Sequence, residues 1–165
     1  PIDTFGGGTN LVTGNPDGAL DGVYKLTSSN GKPRLKISES LSTVTIPHKK
    51  QVFRLKNEDG EWIGADAITM REESEIEMIH DPRESLKSLA VKGYSSEALL
   101  HPVMLKGEIT DAPRSLKEIA YYSEKSLASL PGEFKRFYNP HIDKVGISSK
   151  LNQERDDLIN KYRKK

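Results

Sequence analysis

Hydrophobic and polar residues alternate in short runs over the first hundred positions and shift to a helical rhythm in the last fifty. Alternation places successive side chains on opposite faces, the period of a strand with one face buried. Residues 23–28 and 34–38 show it on either side of Asn30-Gly31, a pair that favours the type I′ turn of a β-hairpin. Residues 50–56 and 62–70 form a second such pair, joined across Glu58-Asp59-Gly60. Further short strands are predicted at 75–80 and 86–91, and a strand or brief helix at 99–105.

Ser115-Leu116-Lys117-Glu118 then reads as a capping box, in which a hydroxyl and a carboxylate satisfy the free amides of a helix start. Leu116, Ile119, Ser123, Leu127 and Leu130 follow at spacings of three and four, an apolar stripe expected to dock on the rest of the chain. Pro131-Gly132 interrupts it. Phe134, Phe137 and Tyr138 predict a short amphipathic turn ending at Asn139-Pro140. A last helix over 150–162 carries Leu151, Leu158, Ile159 and Tyr162 on one side. Strands first and helices last give an α+β fold class.

Composition narrows the function classes. Apolar runs reach about four residues, against the roughly twenty that span a bilayer, so no membrane partner is expected. With no cysteine, disulfides, thiolate metal sites and cysteine nucleophiles are excluded, and the chain suits the cytoplasm. Twenty-five Lys and Arg stand against 24 Asp and Glu, a net charge of +1 that supplies no field to draw nucleic acid. The basic clusters at Lys49-Lys50 and Arg163 to Lys165 are local, the second fitting a solvated helix end. The chain starts at Pro1, where 2–5 read as a strand already running into a glycine turn, and is therefore expected to be part of a longer protein.

Chemistry concentrates in Phe5-Gly6-Gly7-Gly8-Thr9-Asn10. Three glycines in a row reach backbone conformations that a Cβ resists, so several N–H groups can converge on a phosphate, and Thr9 adds a hydroxyl. Taken alone, the same residues also serve as a tight turn. The flanking sequence favours the phosphate reading.

Residues 1–13, ending in Gly6-Gly7-Gly8-Thr9-Asn10-Leu11-Val12-Thr13, resemble the segment that closes on G-x-G-T-x-L-V-T in nicotinate phosphoribosyltransferases. At that family's spacing follow Gly22-Val23-Tyr24-Lys25-Leu26, Pro33-Arg34-Leu35-Lys36-Ile37-Ser38 and Ile46-Pro47-His48-Lys49-Lys50-Gln51-Val52-Phe53-Arg54. Four ordered motifs in 54 residues carry the likeness. A looser one, through Leu116, Glu118 and Ile119 and then Lys135-Arg136 and Asn139-Pro140, extends it over nearly the whole chain. Gly7 stands where the family has a larger residue. Asp21 and His48 stand where it has glycines, which leaves open whether the backbone at those turns follows the family.

The resemblance implies the last strands of an α/β phosphoribosyltransferase barrel with the phosphate loop in residues 1–40, and a carboxy-terminal domain in 41–165, β-rich then helical. It implies an enzyme that joins nicotinate to phosphoribosyl pyrophosphate with ATP hydrolysis, accompanied by Mg²⁺ whose ligands lie outside this chain. Gly6, Gly7, Gly8 and Thr9 would hold the 5′-phosphate. Lys25, on a strand leaving the loop, would bring an ammonium to it, a solvated lysine being the other reading. No catalytic residue and no metal ligand is assigned here. The missing amino-terminal portion or a partner subunit, in a homodimer, would supply the rest, and the fragment alone is expected to be inactive.

His48, His80, His101 and His141 lack metal-ligand spacing, and three of them adjoin prolines, as turn residues do. Glu72-Glu73 and Asp156-Asp157 read as solvated charge. Two rivals stay open at this point: a small β-rich binding module using the glycines as a turn, and a related nicotinamide or quinolinate transferase. The first requires a self-contained core, whereas a fragment should leave an apolar edge near Ile2, Phe5 and Leu11.

Overall fold

The computed structural model describes residues 4, 6–8, 24–37, 44–84 and 86–163. Ile2, Phe5, Leu11 and the division expected near residue 40 lie outside them. A small antiparallel hairpin comes first, β1 (Ser28–Ser29) with β2 (Lys32–Pro33). Its turn residues Asn30 and Gly31 have φ of 50° and 72°, the pair of positive values a type I′ turn requires. Its strands are shorter than the alternation at 23–28 and 34–38 predicts. Beyond the ladder, the Arg34 amide still donates to the Thr27 carbonyl at 2.9 Å.

β3 (Lys50–Lys56) and β4 (Trp62–Met70) form the long central hairpin, with the expected bounds. Gly60 turns it at φ 77°. Beyond it lie β5 (Met78–His80), β6 (Ser88–Ala90), β7 (Ser95–Ala98), β8 (Met104–Leu105) and β9 (Glu108–Ile109). Next come α1 (Leu116–Ala128), a 3₁₀ turn (Gly132–Lys135), β10 (Lys144–Ser148) and α2 (Ser149–Arg163). Six strands make one sheet in the order β6-β5-β10-β4-β3-β7. Only the β10–β4 pairing is parallel among the pairings of this sheet.

Several expectations are corrected. The strands at 75–80 and 86–91 contract to β5 and β6, and that at 99–105 to β8, whose ladder is the two-residue hairpin with β9. β7 and β10 carry no alternating signature and were not expected. The order is not strands first and helices last, because β10 returns between the helices and inserts into the middle of the sheet. Its central Gly146 permits this: a Cβ there would lie 2.8 Å from the Ile79 Cβ.

Leu55, Ala65, Ala67, Ile79 and Val91 form the core, with Phe53, Ile63, Ile76 and Leu89 packed against it. α2 returns on β4, β5 and β10, and Leu151, Ile159 and Ile147 are buried. Ser148 caps α2, its Oγ accepting from the Leu151 amide at 3.2 Å and donating to Glu73 Oε2 at 2.7 Å. Glu73 is thus a structural acceptor rather than solvated charge. Leu158 is half-buried, and Tyr162 at the fraying end is exposed.

α1 forms where predicted, with both halves of the Ser115 capping box made. Its stripe does not dock. Leu116, Ile119 and Leu127 are exposed, Leu130 lies past the helix end half-buried, and no residue of α1 is buried. The turn predicted around Phe134 is limited to the 3₁₀ segment, and Phe137 and Tyr138 are exposed.

Candidate phosphate-binding and charged sites

Gly6, Gly7 and Gly8 are exposed, and a Cβ built at Gly6 or Gly8 meets nothing within 4 Å. Any demand for glycine at these two positions therefore comes from outside the described residues. Thr9 is not among them. Lys25 is exposed on a segment, 24–27, that precedes β1 rather than on a strand, because the ladder begins at Ser28.

That segment leads to a backbone junction. The Thr27 carbonyl accepts from both the Arg34 amide and the His48 amide at 2.9 Å, and the Thr45 amide reaches the Lys36 carbonyl at 3.4 Å. The stretch after the glycine loop is thereby tied to the turn at 45–50. Lys50 braces this turn: its Nζ donates to the carbonyls of Ile46, Pro47 and His48 at 2.8, 3.3 and 2.7 Å. Burial lowers its pKa. With three donors committed, Lys50 is a structural cation, not a phosphate ligand.

His48 has φ of 71°, a left-handed conformation that L side chains resist and glycine accepts. The backbone at this position is thus one that a glycine would adopt without strain, although a histidine stands here. The His48 Nε2 lies 3.4 Å from Glu154 Oε2 on α2, a close approach without hydrogen-bond geometry. Lys49 beside it is exposed. Together with Gln51, Arg71 and His101 it lines a cleft of about 200 Å³ with no carboxylate among the described lining residues, a setting that would accept an anion.

The second charged group lies across the sheet. Arg54 on β3 faces Asp66 on β4, its Nε and Nη2 each 3.3 Å from a carboxylate oxygen, and its guanidinium stands 4.0 Å over the Trp62 ring. Asp143, just before β10, completes the group. Its carboxyl pKa is raised, first by burial and then by the Asp66 charge, against a smaller lowering by Arg54. The Asp143 Oδ1 is buried without a hydrogen bond among the described residues.

This group was missed because its register is not the simple one. The β3–β4 ladder shifts between Arg54 and Lys56, near Gly64 at φ 71°. A Cβ on Gly64 would lie 2.1 Å from Phe134 Cζ. Phe134 fills that notch, stacks on Trp62 at 6.2 Å and stands perpendicular to the His141 ring at 5.8 Å. The available signal was Asp66 itself, a carboxylate within Ile63-Gly64-Ala65-Asp66-Ala67-Ile68: a buried strand charge needs a partner.

The family described as nicotinate phosphoribosyltransferase C-terminal domain matches residues 49–155, from the basic turn through the Arg54 group to α2. The chain belongs to the nicotinate phosphoribosyltransferase family. The relative named nicotinate phosphoribosyltransferase from Dictyostelium discoideum is 31% identical over 162 residues, covering 91% of this chain and 27% of that protein. That of Caenorhabditis elegans is 33% identical, covering 92% and 28%. Nicotinate phosphoribosyltransferase 1 of Arabidopsis thaliana is 34% identical, covering 91% and 28%. The crystal structure of human nicotinic acid phosphoribosyltransferase superposes with a TM-score of 0.67 at 27% identity, over 83% of this chain and 26% of that one.

The chain therefore spans little more than a quarter of the length of the curated relatives it matches. The family's match starts at residue 49 and ends at 155, so the glycine loop lies outside it, while the alignments to relatives reach over nine tenths of the chain. No helix among the described residues is long and apolar enough to cross a membrane.

Proposed function

We propose that these residues are the carboxy-terminal part of an enzyme that joins nicotinate to phosphoribosyl pyrophosphate, giving nicotinate mononucleotide and pyrophosphate with ATP hydrolysis. The observation that carries this reading is the family match over 49–155, together with relatives that all bear the name nicotinate phosphoribosyltransferase. The relatives' shared name favours nicotinate over nicotinamide or quinolinate, and the family match displaces the small binding module. The cytoplasm and a homodimer are the setting this reading implies.

In it, the amides of Gly6 to Gly8 and the Thr9 hydroxyl hold the 5′-phosphate, with Lys25 supplying charge. Amide donors fixed in a glycine loop bind an anion without rearranging, and an ammonium near them adds a point charge. The Lys50-braced turn fixes the chain that follows. The family implies Mg²⁺, but no three His, Asp or Glu side chains among the described residues are grouped to hold a metal.

Gly8→Val in a full-length protein tests the reading cleanly, because a Cβ at Gly8 meets nothing in the described structure and folding should survive. Loss of two charge-assisted hydrogen bonds would raise the apparent constant for phosphoribosyl pyrophosphate by about two orders of magnitude. Nicotinate recognition should change less. A folded variant with unchanged phosphoribosyl pyrophosphate affinity reduces the glycines to a turn.

A further inference from the structure

Between β7 and β10 the chain leaves the sheet as an arm, residues 99–142, that holds β8, β9, α1 and the 3₁₀ turn. Every residue from 100 to 125 is exposed, including Val103, Met104, Leu105, Leu116 and Ile119. Among the described residues, the extensive contacts between elements join strands of the sheet, α2 to the sheet, or the two halves of the small hairpins, and none involves α1.

Neither element of the arm is stable by itself on physical grounds. A helix of 13 residues is marginal in water and gains its stability from packing an amphipathic face. An isolated two-stranded hairpin is equally marginal. Yet the human structure matches 83% of this chain, more than residues 1–98 and 143–165 together supply, so the likeness extends into the arm. Arm structure is thus shared with a protein in which further chain is present.

We propose that the arm is the surface on which the rest of the family's polypeptide, the part these residues do not span, packs within the same molecule. The β8–β9 hairpin and the Leu116, Ile119 and Leu127 stripe are its apolar contacts. The relatives carry nearly three quarters of their length outside the matched region. A covalently linked face is present at an effective concentration of about millimolar, which favours it over a second copy. The inference rests on family membership and the arm's exposure, not on the reaction. An inactive full-length protein with a protected arm would sink the function and spare the arm, and an active one with an unprotected arm would do the reverse.

The test is amide hydrogen exchange at 104–109 and 117–128, in a full-length protein ending in these residues and in the 165-residue chain. Exchange should be at least about a hundredfold slower in the full-length protein and unchanged on dilution. Ile119→Lys in the full-length protein should return α1 amides toward the isolated chain's rates while β4 amides stay protected. Rapid exchange of α1 in the full-length protein overturns the proposal. Protection lost on dilution overturns it in favour of a second copy.

Discussion

Leu55 on β3 and Leu151 on α2 are 1% and 0% exposed, whereas Leu116 and Leu127 on α1 are 85% and 64% exposed. The sheet region and the arm draw on the same side chains at similarly regular spacings, and α1 has the better cap. The difference lies in what each finds within reach. β10 brings α2 directly back over the strands it has just joined, so the α2 stripe meets an apolar face at once. α1 leaves from the end of a hairpin that itself packs extensively on no other element among the described residues. Amphipathic spacing thus reports that a face is to be covered and says nothing of which part of the protein covers it.

The largest expected effect is on the sheet side. Leu151→Ala removes a fully buried side chain and should destabilise the 165-residue chain by about 2 to 5 kcal/mol in urea titration. A loss near zero would erase the contrast with α1.

A smaller effect is expected at Asp143, where the arm rejoins the sheet. Its folded-state pKa is raised by burial and by Asp66, so ionisation opposes folding. The penalty is absent below the ordinary Asp range and develops as pH rises through the folded value. Asp143→Asn should therefore stabilise the chain at neutral pH by less than about 1 kcal/mol after solvent screening. The gain should disappear below about pH 3. A gain that persists there would belong to packing rather than charge.

The smallest effect sharpens the arm side. Leu127→Ala in the 165-residue chain should change the denaturation midpoint by less than about 0.5 kcal/mol equivalent. A cost above about 2 kcal/mol would mean that the stripe docks within this chain after all.

Local chemistry was the legible part of the fold. The Glu58-Asp59-Gly60 turn placed β3 and β4, Asn30-Gly31 placed the first hairpin turn, and Ser115 with Glu118 placed the start of α1. What failed depends on long-range pairing. β10 is five residues with glycine at its centre, and its identity as a strand comes from β4 and β5 on either side. β7, Ser95-Ser96-Glu97-Ala98, is an edge strand held by backbone bonds to β3 and has no apolar face to announce it. At the site, Lys50 looked like a member of a basic surface pair, but three carbonyls visible only in the folded turn claim it. Asp66 could be suspected from its apolar neighbours, yet its pairing with Arg54 depends on the ladder irregularity near Gly64. Thr9 of the glycine-rich segment lies outside the described residues.

Near its start the arm is fastened to β3, the Leu99 amide bonding the Val52 carbonyl at 2.8 Å and Leu100 exchanging two bonds with the Gln51 side chain. Near its finish the Phe134 ring is seated against β4. Topologically the arm is a closed loop with both feet on adjacent strands, not a tail. The free energy of closing such a loop changes only logarithmically with its length. Insertions or deletions between the two feet can therefore reshape the covering surface while the strand register beneath it stays the same.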